Sequence, residues 1–161
     1  MRISSKGRYG LKAVVDIAYN LSISKRFVSI KSIAERQGMS ENYLEHIIAP
    51  LKKAGILRSM RGAGGGYYLA KSPCDLTAGE VLRVLEGPLA PVDCVVDGIN
   101  VCGDADCNLC VMKPALISLF EEANKLVDSI SIQSLVDDYV RLSKIRGDEK
   151  GASDGTKNLL G

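Results

Sequence analysis

The chain has 161 residues, 46% of them hydrophobic, with no Trp and two Phe, so its core must rest on Leu, Ile, Val and Ala. No apolar run approaches the roughly 18–20 residues of a membrane span, and the N-terminus, Met1-Arg2-Ile3-Ser4-Ser5-Lys6-Gly7, lacks the apolar stretch of a secretory signal, so a cytoplasmic protein is expected. The net charge of +2 hides a split: residues 1–71 carry 13 Lys/Arg against 4 Asp/Glu, whereas residues 72–161 carry 8 against 15. A basic half of this size points to a polyphosphate partner, because each cation placed on a phosphate releases condensed counterions.

The first predicted helix covers 5–22, where Leu11, Val14, Val15, Ala18 and Leu21 repeat at helical spacing and Ser5 is the expected cap. A second covers 29–37, with Ile30, Ile33 and Ala34 inward, and Gly38 breaks the chain. Ser40 is the expected N-cap of a third helix, Glu41–Ala54, with Pro50 expected to kink or divide it near Ala49. Two short helices joined through Gly38-Met39-Ser40 describe a helix-turn-helix. That signal is weak alone, but the next segment sharpens it. Ile56–Met60 and Tyr67–Ala70 read as strands flanking Arg61-Gly62-Ala63-Gly64-Gly65-Gly66, which is a wing. A nucleotide-binding loop fits poorly: G-x-x-x-x-G-K-[ST] is absent, and Tyr67 stands where G-x-G-x-x-G needs its third glycine.

Residues 1–72 therefore form a winged helix-turn-helix domain in a mainly α fold with a small β wing. A connecting helix is expected within 73–91, opened by the capping box Thr77-Ala78-Gly79-Glu80 and ended by Gly87-Pro88 and Pro91. Residues 92–111 form a loop. Region 112–146 is read as a dimerisation region built on a long helix over 114–130. Its Leu116, Phe120, Ala123, Val127 and Ile130 step by four and three, with Leu119 and Leu126 widening the seam. Ser131–Leu142 is a further short helix, and 147–161, polar and without periodicity, is read as a disordered tail.

Cys94, Cys102, Cys107 and Cys110 form C-x7-C-x4-C-x2-C, while Cys74 stands apart and is expected to be a small, partly buried apolar residue. Thiolates are the ligands that iron–sulfur clusters and soft metals select. The irregular spacing suits a cluster loop. Structural zinc usually shows two tight C-x2-4-C pairs, and only Cys107/Cys110 is tight here. A zinc site and a thiol switch stay open as alternatives. His46 is the only histidine, far in sequence from the cysteines, and neither H-E-x-x-H nor a Walker motif is present. No catalytic constellation is found, so the chain is not read as an enzyme.

The segments Met1–Tyr9, Ile33–Ser40, Tyr43-Leu44-Glu45 and Arg61–Tyr67 resemble the IscR-type iron–sulfur cluster regulators, and Thr77–Glu80 with Cys94, Cys102 and Cys107 continue the resemblance. It implies a homodimer on double-stranded DNA, a cluster loop, and control of cluster-assembly genes. It implies that the residue resembling Glu45 tunes which DNA sites are accepted, and that the one resembling Arg61 reaches into the minor groove. Two departures stand out. Cys110 occupies the place of a ligating histidine, and Arg8 occupies a place where some relatives put a ligating carboxylate. The expected site is therefore all-cysteine, holding a 2Fe–2S cluster with 4Fe–4S as the alternative.

In the resulting picture the third helix enters the major groove with Ser40, Asn42, Tyr43 and Glu45 near its N-terminal end. Asn42 and Glu45 read base edges, since Asn pairs with adenine and a carboxylate accepts from cytosine N4. Arg61 lies on the backbone or in the minor groove, with Gly62 and Gly64 letting the wing approach closely. Lys6, Arg8, Lys52 and Lys53 sit on phosphates, which sets register. The loop over 92–111 leans on the dimer helix and shifts the spacing of two reading heads.

Overall fold

A computed structural model of the chain describes residues 3–96 and 110–155. Helix α1, Ser5–Ser24, begins at Ser4, whose extended backbone lets its hydroxyl accept from Gly7 N at 3.3 Å. Ser4 thus takes the capping role expected of Ser5. Helix α2, Ile30–Gln37, is capped by Ser29 and ended by Gly38 in the left-handed region, φ 65°. Helix α3, Glu41–Lys53, is capped by Ser40, whose hydroxyl accepts from Tyr43 N at 3.2 Å.

Pro50 does not divide α3. Proline deprives only the His46 carbonyl of its donor, and His46 lies on the exposed side, where that oxygen is open to solvent. Leu44, Ile47, Ile48 and Leu51, each at most 1% exposed, clamp the helix on both sides of the proline. These four meet Ala13, Val14 and Ile17 of α1 and Ile33 of α2 in one core.

Strands β1, Leu57–Met60, and β2, Gly66–Leu69, pair antiparallel with Leu57 opposite Leu69 and Met60 opposite Gly66. Val28 adds a third edge: its N–H donates to Tyr67 O at 3.1 Å and its carbonyl accepts from Tyr67 N at 2.8 Å. The wing is thereby stitched to the segment between α1 and α2.

Helix α4, Ala78–Glu86, opens with the expected capping box: Thr77 Oγ1 accepts from Glu80 N, and the Glu80 carboxylate accepts from Thr77 N at 2.9 Å. It crosses α1 closely, since a Cβ on Gly10 would run into Leu85 and one on Gly7 into Glu86. A single 3-10 turn, Asp93–Val95, follows. Helix α5, Lys113–Ser129, packs on α4 with Leu116, Phe120, Ala123 and Val127 half-buried, whereas Leu119 and Leu126 are 56% and 63% exposed. Helix α6, Ile132–Gly155, buries Ile132 and Val136 and packs on α1.

Helix α6 overruns both the expected short helix and the expected tail. Residues 147–155 are helical, because a nucleated helix gains one hydrogen bond per residue added, even through poor helix formers. The rest of the expected tail, 156–161, lies outside the described residues. Among the described residues no helix is long and apolar enough to cross a membrane.

Candidate nucleic-acid interface and cysteine segment

The exposed side of α3 is set by its core side. With Leu44, Ile47, Ile48 and Leu51 inward, Asn42, Tyr43, Glu45, His46, Lys52 and Lys53 are left outward. The Ser40 hydroxyl is occupied as a cap, so it is a positioning group for the first turn of α3. Tyr43 stands edge-on to Tyr9 of α1, ring centroids 6.1 Å apart, and Lys12 Nζ lies 5.8 Å from the Tyr9 ring. Lys6 is half-buried and Arg8 exposed on the first turns of α1, where Arg8 donates to Ser5 Oγ at 3.2 Å.

The wing lies on the other flank of α3. Arg61, Gly62 and Gly64 are exposed at its tip. Gly62 has φ 116° and Gly66 φ 155°, values that L side chains rarely adopt. Tyr67 joins wing to helix: Lys52 Nζ sits 5.7 Å from its ring, and partial burial followed by the Glu45 carboxylate pushes its phenol above the ordinary value. Behind this surface Arg36 of α2 grips the buried Asp16 of α1 through two bonds of 2.9 and 2.6 Å, and Gln37 adds a third at 3.3 Å. That grip sets the angle between the first two helices. The hydrogen bond with Asp16 is the main cause holding the Arg36 guanidinium above its ordinary value, against partial burial.

Every expected reading residue thus lies on two adjoining elements with Lys6 and Arg8 at their flank. Sequence reasoning missed Tyr9, Lys12 and Tyr67, which support that surface from α1 and the wing. Tyr9 and Lys12 are three apart on one helix, a spacing that places them together. Nothing in the sequence reveals that α3 passes beside them.

The cysteine segment is described at its two ends. Cys94 is half-buried on the 3-10 turn, which packs against α5. Cys110, also half-buried, lies three residues before α5, and its carbonyl accepts from Lys113 N at 3.1 Å. Cys102 and Cys107 lie outside the described residues. Cys74 is exposed, contrary to the partly buried apolar role expected of it, because the turn at Pro73–Asp75 directs it to solvent. The turn carrying Cys94 thus packs against α5, and Cys110 lies just before the same helix. Four thiolates within 17 residues fit the donor chemistry of an iron–sulfur cluster.

The fold and the sequence are both similar to those of known proteins. Residues 3–138 match the family described as "Rrf2: Iron-dependent Transcriptional regulator". The HTH-type transcriptional regulator CymR of Bacillus subtilis is 46% identical over 97 residues, covering 60% of this chain and 69% of that protein. The regulator IscR of Vibrio atlanticus is 36% identical over 141 residues, covering 86% of this chain and 76% of that protein. Among solved structures, B. subtilis CymR, titled the global cysteine regulator, superposes with TM-score 0.70 and 36% identity over 85% of this chain and 97% of that one. T. potens IscR does so with TM-score 0.69 and 37% identity over 86% and 88%. The chain belongs to the Rrf2 family of DNA-binding transcription regulators.

Proposed function

We propose that this regulator senses iron–sulfur status through a cluster held by Cys94, Cys102, Cys107 and Cys110, and that it controls genes of cluster assembly as a homodimer. The observation carrying this reading is the four-thiolate segment, whose described ends are a turn packed against α5 and Cys110 just before that helix. The match to IscR relatives over most of the chain supports it. A bound cluster supplies a centre responsive to iron, oxygen and redox state. The four thiolates hold it, 2Fe–2S being favoured.

The residues of the chain then divide the work on DNA. Asn42 and Glu45 read bases, while Arg61, with Gly62 and Gly64 at the wing tip, tracks the minor groove. Lys6, Arg8, Lys52 and Lys53 hold phosphates, with Ser40 and Tyr43 fixing the first turn of α3. For dimerisation the exposed positions matter: Met112, Leu119 and Leu126 recur every seven residues, each more than half exposed.

Similarity to CymR favours a second reading, a regulator of cysteine supply acting through thiol chemistry. Anaerobic reconstitution with iron and sulfide separates the two. The cluster reading expects coloured protein with iron and acid-labile sulfide, a labile cluster in Cys110→Ala and an unchanged one in Cys74→Ala. Colourless protein that keeps only zinc, or neither metal nor sulfide, overturns it.

A further inference from the structure

The joint between the reading head and α5 has two distinct parts. The first is a backbone pivot. Ala78 N donates to Ile130 O at 2.8 Å, Ile132 N to Leu76 O at 2.7 Å, and Gln133 N to Pro73 O at 3.0 Å. These bonds tie the α5–α6 turn to the start of α4. They fix one end of α5, and its angle then depends on how the helix packs on α4 further along. The second part lies further along the helices. Arg83 of α4 donates to Asn124 Oδ1 at 2.8 Å and also to the carboxylate of Asp128, which Thr77 Oγ1 contacts at 3.5 Å. Asn124 is fixed in turn, its amide donating to Phe120 O at 2.8 Å. Gly79 lets the helices approach, since a Cβ there would strike the Asp128 carboxylate and meet Val127 Cγ2 at 3.0 Å.

We propose that Arg83 is a positioning residue that sets the angle of α5 to the reading head, and thereby the half-site spacing the protein accepts. Its side chain is 34% exposed and that of Asp128 43%, so the pair adds little to folding. Its geometric effect is larger. A planar guanidinium with acceptors at two α5 positions one turn apart adds a directional restraint to non-directional apolar packing, and so narrows the angles α5 can take. In a dimer built on α5, any change in that angle is doubled across the two-fold axis. The proposal rests on the dimer reading given above.

The test compares the parent with Arg83→Gln, which loses the fork, and Gly79→Ala, which adds a methyl where Asp128 lies and suits the first turn of α4. Each is first sized by sedimentation. Each is then titrated on a single half-site duplex and on palindromes whose half-sites are separated by the best spacing or by two base pairs more or less. Two base pairs rotate one half-site by about 70° relative to the other. The parent should lose roughly tenfold or more on the shifted palindromes, while both variants lose about threefold or less, because a loosened joint twists in place of the DNA. Half-site affinity should be unchanged. Dimeric variants that keep the parent's spacing profile overturn the proposal and leave the dimer reading standing. Variants that fall to monomers while the parent stays dimeric assign Arg83 to assembly and also overturn it. A parent that is monomeric when bound to the palindrome overturns the dimer reading, and this proposal with it.

Discussion

Three glycine-to-alanine substitutions in the wing separate backbone strain from steric collision. Gly64 has space around it and a backbone that alanine adopts, so Gly64→Ala should shift stability by less than about 0.5 kcal/mol. Gly62 has φ 116° with nothing within 4 Å, so Gly62→Ala meets strain alone, about 1–2 kcal/mol. Gly66 combines φ 155° with a Cβ that would lie 2.6 Å from both the carbonyl carbon and oxygen of Val28. Ordinary contact needs about 3.5–4.0 Å. Relief requires β2 to move away from Val28, which breaks the 3.1 and 2.8 Å bonds joining Val28 to Tyr67. Each bond contributes about 0.5–1.5 kcal/mol, so Gly66→Ala should lose about 2–5 kcal/mol in all. Urea unfolding followed by far-ultraviolet circular dichroism measures the series, with equal m-values required for the comparison. Gly66→Ala should also weaken DNA binding more than Gly62→Ala, since it moves the wing strand that carries Tyr67. If Gly66→Ala were no less stable than Gly62→Ala, the third edge of the wing sheet would not exist as described.

Other expectations concern the frame around the interface. Asp16→Ala leaves Arg36 and Gln37 without their shared acceptor; because Arg36 reaches water, the loss should be about 2 kcal/mol rather than the 3–5 of a fully buried pair, read by the same unfolding assay. At Glu80, partial burial opposes the charged carboxylate, but Lys71 and the Thr77 backbone and hydroxyl outweigh it and hold the carboxyl below its ordinary value of 4.5. A lowered folded value contributes stability at higher pH that is lost as pH falls from about 4.5 through that value. Glu80→Gln should therefore flatten the acid limb of the unfolding midpoint, with little change in the slope above pH 6. Leu119→Glu combined with Leu126→Glu should give a folded monomer by sedimentation, since both side chains are more than half exposed within one chain.

The helix-turn-helix and wing were legible because their signals are local. Ser40 caps a helix, Gly38 ends one, and the glycine run turns between two strands. What sequence reasoning missed is tertiary. Proline inside α3 reads as a break, yet burial of Leu44, Ile47, Ile48 and Leu51 overrides it. The polar ending of the chain reads as disorder, yet α6 continues from a segment anchored by Ile132 and Val136. On α5 the four-three spacing identifies an apolar helix correctly, but it does not say which apolar residues meet α4. Phe120 and Val127 are half-buried, Val127 beside Gly79 of α4, and Leu119 and Leu126 are left for solvent. The roles of Tyr9, Tyr67 and Arg83 depend on contacts between elements, which no local pattern encodes.

The proposed control of DNA binding by a cluster is tested most directly by one comparison. A single anaerobic preparation, assayed for iron and acid-labile sulfide, is divided in two, and one half is stripped of its cluster by chelation under reducing conditions. Both halves are then titrated on one set of randomised duplexes at fixed salt, because affinity depends steeply on ionic strength. The two halves, equal in dimer content, should select different sites or differ in affinity by about tenfold or more, a coupling in the range typical of allosteric proteins. Identical site preference and affinity in cluster-bearing and cluster-free protein, or a preparation that never holds iron and sulfide, would contradict it.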